Sequence, residues 1–139
     1  LLKRIKEYAR ESELEGYVVF TGERTNIPDY YSIFDVFAFP SFWEGASITL
    51  LEAMASRVPV ICSNIPCHLE IIKNNYSALT VNPHEADDLI SKISILYKNP
   101  ELREKLSSNA MIEVTQYDEG EMTDKVEESY ESVVMSDKR

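Results

Sequence analysis

Cations are scarce in this chain. It carries 14 Lys and Arg against 24 Asp and Glu, a formal net charge of -10. Nucleic acid needs a cationic surface, so a nucleic-acid partner is excluded. Acidity is densest after Tyr117, a run that reads as a solvated helix face. Cysteine is equally sparse: Cys62 and Cys67 make no disulfide framework. With His68 they lack the second ligand pair that structural zinc requires, so no metal is expected. No apolar run reaches membrane-spanning length and no signal peptide is present, and the composition reads as cytoplasmic. The Gly-x-Ser-x-Gly elbow, the Walker Gly-x4-Gly-Lys and the dinucleotide Gly-x-Gly-x-x-Gly are all absent, which removes support for hydrolase, P-loop and dinucleotide readings. Repeats, low-complexity stretches and Gly/Ser linkers are lacking too. Residues 1–139 therefore read as one domain. The chain starts at Leu1 rather than a methionine, which suggests a piece cut from something longer.

What is present is an alternation of short apolar runs and amphipathic helices. Leu2, Ile5, Tyr8 and Ala9 stripe a helix over Leu1–Leu14. Tyr17–Phe20 reads as a strand, and Asn26–Phe34 as a short irregular helix with Pro28 near its start. Asp35–Pro40 reads as a buried strand, Ser47–Ser56 as a helix, and Val58–Cys62 as the next strand. Pro66–Lys73 opens on a helix-starting Pro, and Ala78–Val81 is a further strand. Asn82-Pro83-His84-Glu85 resembles a capping box, followed by a helix striped by Leu89, Ile90, Ile93 and Leu96. Asn99-Pro100 starts another helix, with Leu102, Leu106, Ala110 and Val114 on one face. A final helix runs from about 119 to 134. Unbroken apolar strands between helices predict an α/β fold: a Rossmann-like parallel sheet with helices on both faces. About four strands are expected. The core spans about 1–98 and C-terminal helices about 99–134.

Two carboxylates stand eight residues apart in Phe-Trp-Glu44-Gly-Ala-Ser-Ile-Thr-Leu-Leu-Glu52-Ala-Met-Ala. Glu44 lies in a small-residue loop after a strand, where ligands of parallel sheets bind. The free amides of Ala46, Ser47 and Ile48 at the following helix start would face an anion there. Glu52 lies inside a helix that reads as apolar on nearly every side. A carboxylate so placed needs hydrogen-bond donors, and a hydroxyl-rich ligand such as a sugar or a ribose supplies them. Glu44 reads as the more exposed of the two, with both in one cleft. Alternatively, Glu44 favours the helix start by charge alone, and Glu52 pairs with a neighbouring cation. Trp43 reads as a partly buried aromatic, and His68 and His84 as surface or helix-start residues.

Four pieces in order carry a resemblance: Val19-Phe20-Thr21-Gly22, Asp35 to Ser41, Glu44-Gly45 to Ala55, and Val58-Pro59-Val60-Ile61. Together they resemble the C-terminal, donor-binding domain of retaining glycosyltransferases of the GT-B fold, in the "group 1" (family 4-like) class. The resemblance implies transfer of a sugar from a nucleotide-diphosphate sugar to an acceptor with retention, without a protein-bound metal or other cofactor. By resemblance, Glu44 and Glu52 match the family's E-x7-E motif. Glu44, the catalytic-site residue, would hold donor-sugar hydroxyls and Glu52 the ribose. Gly45, Ala46 and Ser47 match the loop whose amides approach the sugar and diphosphate. Arg24, with Gly22 and Glu23, matches the segment near the base.

The family often has Gly where this chain has Ser47, Arg57, Asn75 and Ala78. Arg57 should close the Ser47–Ser56 helix in a left-handed conformation. The family's domain also opens with two further strand–helix units, the first bearing an Arg and a Lys for the diphosphate, and nothing before Leu1 supplies them. The acceptor, a saccharide or a lipid-linked one, would meet an N-terminal domain that is likewise outside this sequence and could bring the enzyme to the membrane periphery. The strand order 3-2-1-4-5-6 then leaves an unpaired edge, which predicts non-native pairing or a dimer across it. Alternatives are a non-catalytic nucleotide-sugar-binding or scaffold domain with a decayed site, and a phosphorylase or nucleotide-sugar hydrolysing relative. A receiver-type signalling domain would want clustered Asp at the strand ends, where Pro40, Cys62 and Val81 stand.

Overall fold

A computed structural model describes residues 1–118 and 120; the helix expected over about 119–134 lies outside these residues. A helix, α1 (Leu2–Glu11), is followed by a long connection and a second short helix, α2 (Ile27–Tyr31). Then come β1 (Phe37–Phe39), α3 (Ile48–Ala55), β2 (Val60–Ser63), α4 (Pro66–Leu69) and β3 (Leu79–Val81). Two longer helices, α5 (Ala86–Lys98) and α6 (Pro100–Val114), complete the fold with a 3₁₀ turn at Thr115–Tyr117.

The sheet is parallel, in the order β1-β2-β3. Phe37 pairs with Val60 and Phe39 with Cys62; Ile61 pairs with Leu79 and Ser63 with Val81. Its central strand is buried at every position, as an unbroken Val-Ile-Cys run between helical layers should be. Strand alternation sends its side chains to opposite faces. Val60 and Cys62 join Tyr31, Leu50, Met54, Ile71, Ile72 and Ala110 on one side. Ile61 joins Leu79, Val81, Leu96 and Leu106 on the other. Helix α6 therefore serves both layers, through Ala110 and Leu106.

The end of α3 follows from its sequence. Arg57 has φ 57°, the left-handed region. Its N–H donates to Met54 O, and the Val58 N–H donates to Ala53 O, the paired bonds of a Schellman closure. Helix α1 closes in the same way on Glu13, at φ 58°, a position its sequence does not announce. At the start of α6, Asn99 Oδ1 accepts from the Leu102 N–H at 2.9 Å, as its Asn-Pro start predicts.

Several expectations are corrected. Among the described residues the sheet has three strands, not about four. Tyr17–Phe20 forms none: Tyr17 and Val19 are 86% and 85% exposed, and the Tyr17 and Val18 amides turn back to Leu14 O. A strand exists only through its neighbours, and among the described residues no partner ladder reaches this segment. For the same reason Asp35–Pro40 shortens to β1, an edge strand only half-buried. The capping box at Asn82 does not start α5. Asn82 Oδ1 instead accepts from the His84 N–H and its amide group donates to Glu85 Oε1, a local turn that delays the helix to Ala86. Helix α4 stops at Leu69, short of Lys73.

Candidate functional site

The carboxyl ends of β1, β2 and β3 carry the loops that begin at Pro40, Asn64 and Asn82. Parallel sheets bind ligands at this end. The first and third loops meet over the second: the Phe42 and His84 rings stand 5.0 Å apart at 53°. The first loop is folded by its own residues. Ser41 Oγ donates to Glu44 Oε1 at 2.7 Å, which holds the half-buried Glu44 side chain beside a groove of about 350 Å³. Trp43, Gly45, Cys67 and Glu70 also line that groove.

The loop then enters α3. The amides of Gly45, Ala46 and Ser47 have no acceptor among the described residues, whereas the Ile48 N–H donates to Ala46 O at 3.0 Å. Two of the three amides expected to face a ligand, those of Ala46 and Ser47, are thus unpaired among the described residues, although Ser47 itself is only 3% exposed; Ile48 is paired, because the chain tightens by one short turn there. Ser47 holds the N-cap position, yet its hydroxyl caps nothing. It lies instead 3.4 Å from Cys67 Sγ.

Glu52 departs from expectation. Helix α3 buries only Leu50, Ala53 and Met54, the narrow stripe that three-to-four spacing defines. Ile48 is 64% exposed, and Glu52 and Ala55 share its exposed face. Glu44 is therefore the less exposed of the two carboxylates, not the more. They also do not share a cavity: Glu52 lines a separate groove of about 700 Å³ between α3 and the end of α6, with Leu51, Met111 and Tyr117. Its hydrogen-bond partner is a neutral phenol, Tyr31, at 3.3 Å, and no ion pair reaches it among the described residues. Burial first, then the charge and hydrogen bond of Glu52, push the Tyr31 phenol up to about 12.

Arg24 is exposed in the connection between α1 and α2, lines neither groove and makes no hydrogen bond or ion pair among the described residues. Trp43 is 81% exposed rather than partly buried, and His68, in the short helix α4 as a helix-start residue would be, is fully buried rather than on the surface. The His68 ring packs on Phe39 and its Nδ1 lies 3.0 Å from Ser63 O. Sequence reasoning missed Tyr31 and Cys67. Tyr31 lies 21 positions from Glu52, and Cys67 carries no motif, so neither left a local signal. No group of His, Cys, Asp or Glu among the described residues is arranged to hold a metal ion.

A three-stranded parallel sheet with helices on both faces, carrying an acidic loop at its carboxyl end, is a Rossmann-like α/β fold of the GT-B type. Residues 1–112 match the family of glycosyl transferases, group 1, and the chain belongs to that family. It is similar to the N,N'-diacetylbacillosaminyl-diphospho-undecaprenol alpha-1,3-N-acetylgalactosaminyltransferase of Campylobacter jejuni, at 33% identity over 119 residues, covering 86% of this chain and 32% of that protein. Among solved structures, a glycosyltransferase of Rickettsia africae superposes with a TM-score of 0.88 at 26% identity, over 96% of this chain and 36% of that one. Anabaena HepE in complex with UDP gives a TM-score of 0.89 at 22% identity, over 94% of this chain and 36% of that one, and supports the fold. The chain spans about a third or less of the curated relatives it matches.

Proposed function

We propose that residues 1–139 form the donor-binding part of a retaining glycosyltransferase that moves a sugar from a nucleotide-diphosphate sugar to an acceptor. Its core is about 1–98 and its C-terminal helices about 99–134. The observation that carries this reading is the Glu44 loop: a carboxylate held by Ser41, followed by unpaired amides at a helix start. Glu44, as the residue at the reacting sugar, accepts its hydroxyls. Breaking the anomeric C–O bond leaves negative charge on the diphosphate, which the unpaired Gly45, Ala46 and Ser47 amides would stabilise. Glu52 takes the ribose and Arg24 the region of the base. The Glu44 groove then holds the sugar end of the donor and the Glu52 groove the ribose.

The Campylobacter jejuni relative is named for a diphospho-undecaprenol substrate, which supports a lipid-linked saccharide as acceptor. No helix of the described residues is long and apolar enough to cross a membrane; contact with a cytoplasmic membrane face would come through residues other than these. The family's Arg and Lys for the diphosphate are not among residues 1–139, so donor binding by this chain alone is expected to be weak or undetectable by calorimetry.

The test is steady-state kinetics in the complete polypeptide that carries these residues. Glu44→Gln should lower kcat and Glu52→Gln should chiefly raise the donor KM, because ribose is remote from the bond being broken. Wild-type kinetics from both variants would end the donor-site reading. Intact folding with no affinity for any nucleotide sugar would favour a scaffold with a decayed site.

A further inference from the structure

Tyr31 ends α2 and is only 3% exposed. Its ring is clamped edge-on by Phe34 and Phe37, with centroids 6.2 and 5.6 Å away. The core therefore fixes the phenol oxygen in space. That oxygen stands 3.2 Å from Thr49 O and 3.3 Å from Glu52 Oε2. Both partners are acceptors, and a phenol has one proton to give. It is shared between a backbone carbonyl in the first turn of α3 and a carboxylate one turn further on.

Without this contact Glu52 would be a long, exposed side chain with several rotamers and no cation to hold it among the described residues. Such a side chain loses rotamer freedom on gripping a ligand. A partner that restricts it beforehand removes part of that cost. The nature of the partner matters as well. Lys or Arg in this place would neutralise the carboxylate. A neutral hydroxyl occupies one lone pair and leaves the charge, and the other oxygen, for further donors.

We propose that Tyr31 is a positioning residue of the donor site, holding the Glu52 carboxylate in the rotamer that receives the ribose hydroxyls of a ribonucleoside diphosphate. The proposal rests on the reading of Glu52 as the ribose ligand. It makes Tyr31, buried in the core, a determinant of preference for ribose over deoxyribose. The phenol keeps its proton throughout the working pH range, because burial and the neighbouring carboxylate push its pKa up to about 12.

The experiment is calorimetry on the complete polypeptide with UDP and 2′-deoxy-UDP, or the guanosine pair where UDP does not bind. It is run on the wild type, Tyr31→Phe, Glu52→Gln and the double variant. Tyr31→Phe keeps the ring and its packing and deletes only the hydroxyl. It should weaken ribonucleotide binding about five- to tenfold, the scale of one hydrogen bond. Binding of the deoxy analogue, which keeps only the 3′-hydroxyl for Glu52, should weaken less, so the ratio between the two shrinks. Donor KM should rise by the same factor while kcat holds, and Tyr31→Phe should add nothing to Glu52→Gln. A Tyr31→Phe protein that weakens both nucleotides equally, or keeps the wild-type ratio while Glu52→Gln abolishes it, overturns the positioning role and leaves the ribose reading standing. A Glu52→Gln protein with the wild-type ratio, or a wild type that binds neither ribonucleotide, overturns both.

Discussion

Cys67 Sγ lies 3.4 Å from Ser47 Oγ, and the same sulfur donates toward Gly45 O at 3.6 Å. The thiol thereby ties the start of α4 to the two ends of the amide-bearing loop. It is partly exposed, whereas Cys62 is fully buried and its thiol is pushed up to about 12 by burial. Maleimide should therefore modify Cys67 at least about tenfold faster than Cys62, since reaction needs an accessible thiolate. Peptide mass spectrometry reads the two sites separately. Equal rates would mean that β2 opens on the labelling timescale. In the complete polypeptide, the bulky adduct at Cys67 should also block donor binding.

Arg57 carries a side chain in a conformation that costs L-residues about 1–2 kcal/mol, at an exposed position with φ 57°. Glycine adopts it freely but loses more backbone freedom on folding, which offsets about 0.5–1 kcal/mol. Arg57→Gly should therefore stabilise the fold by several tenths to about 1 kcal/mol, measured as a higher urea midpoint at unchanged m-value. A lower midpoint would show that Arg57 makes an interaction worth more than its strain.

Two buried acids set an alkaline limit. Burial raises the Cys62 thiol from 9.0 to about 12, and burial with Glu52 raises the Tyr31 phenol from 10.0 to about 12. Each group binds its proton more tightly when folded. Its contribution is complete below the unfolded value, declines as the unfolded chain begins to ionise, and is gone once pH passes the folded value. Thermal stability should fall between about pH 9 and 12. Cys62→Val should flatten the first part of that decline, visible as a smaller loss in Tm between pH 8 and pH 10. An unchanged slope would mean that the thiol ionises as easily folded as unfolded.

Strand β1 pairs with β2 on one side and with nothing among the described residues on the other. Phe37 donates to Pro59 O, so by parallel geometry the Ala38 amide points to the open edge. A dimer formed by strand addition there is our expectation for this chain in isolation. Ala38→Pro removes the outward donor without touching the bonds to β2, and should shift light scattering from dimer toward monomer. A wild-type chain that is monomeric at high concentration would refute the edge dimer.

Much was legible locally. The core strands β2 and β3, the helix starts at Ser47, Pro66 and Asn99, and the left-handed closure at Arg57 all lie where residue type and spacing put them. These features depend on a few neighbouring residues: a cap, a proline, an apolar run, the residue just past a helix end. The Glu44 loop was legible for the same reason, since a strand end, small residues and a helix start follow one another directly in the chain.

Burial and pairing were not legible, because they depend on what stands opposite in space. Tyr17–Phe20 has the composition of a strand and remains exposed, since no ladder among the described residues reaches it. Glu52 sits among apolar neighbours in sequence and yet faces outward, because α3 buries one narrow stripe. His68 is polar and fully buried, packed on Phe39 and bonded to Ser63 O. Amino-acid order alone determined the family, the alternation of strand and helix and the place of the acidic loop. Only the tertiary structure decided which carboxylate is shielded, that the two line separate grooves, and that Tyr31 reaches Glu52. Each of those outcomes is set by packing between segments far apart in the chain, to which local periodicity is blind.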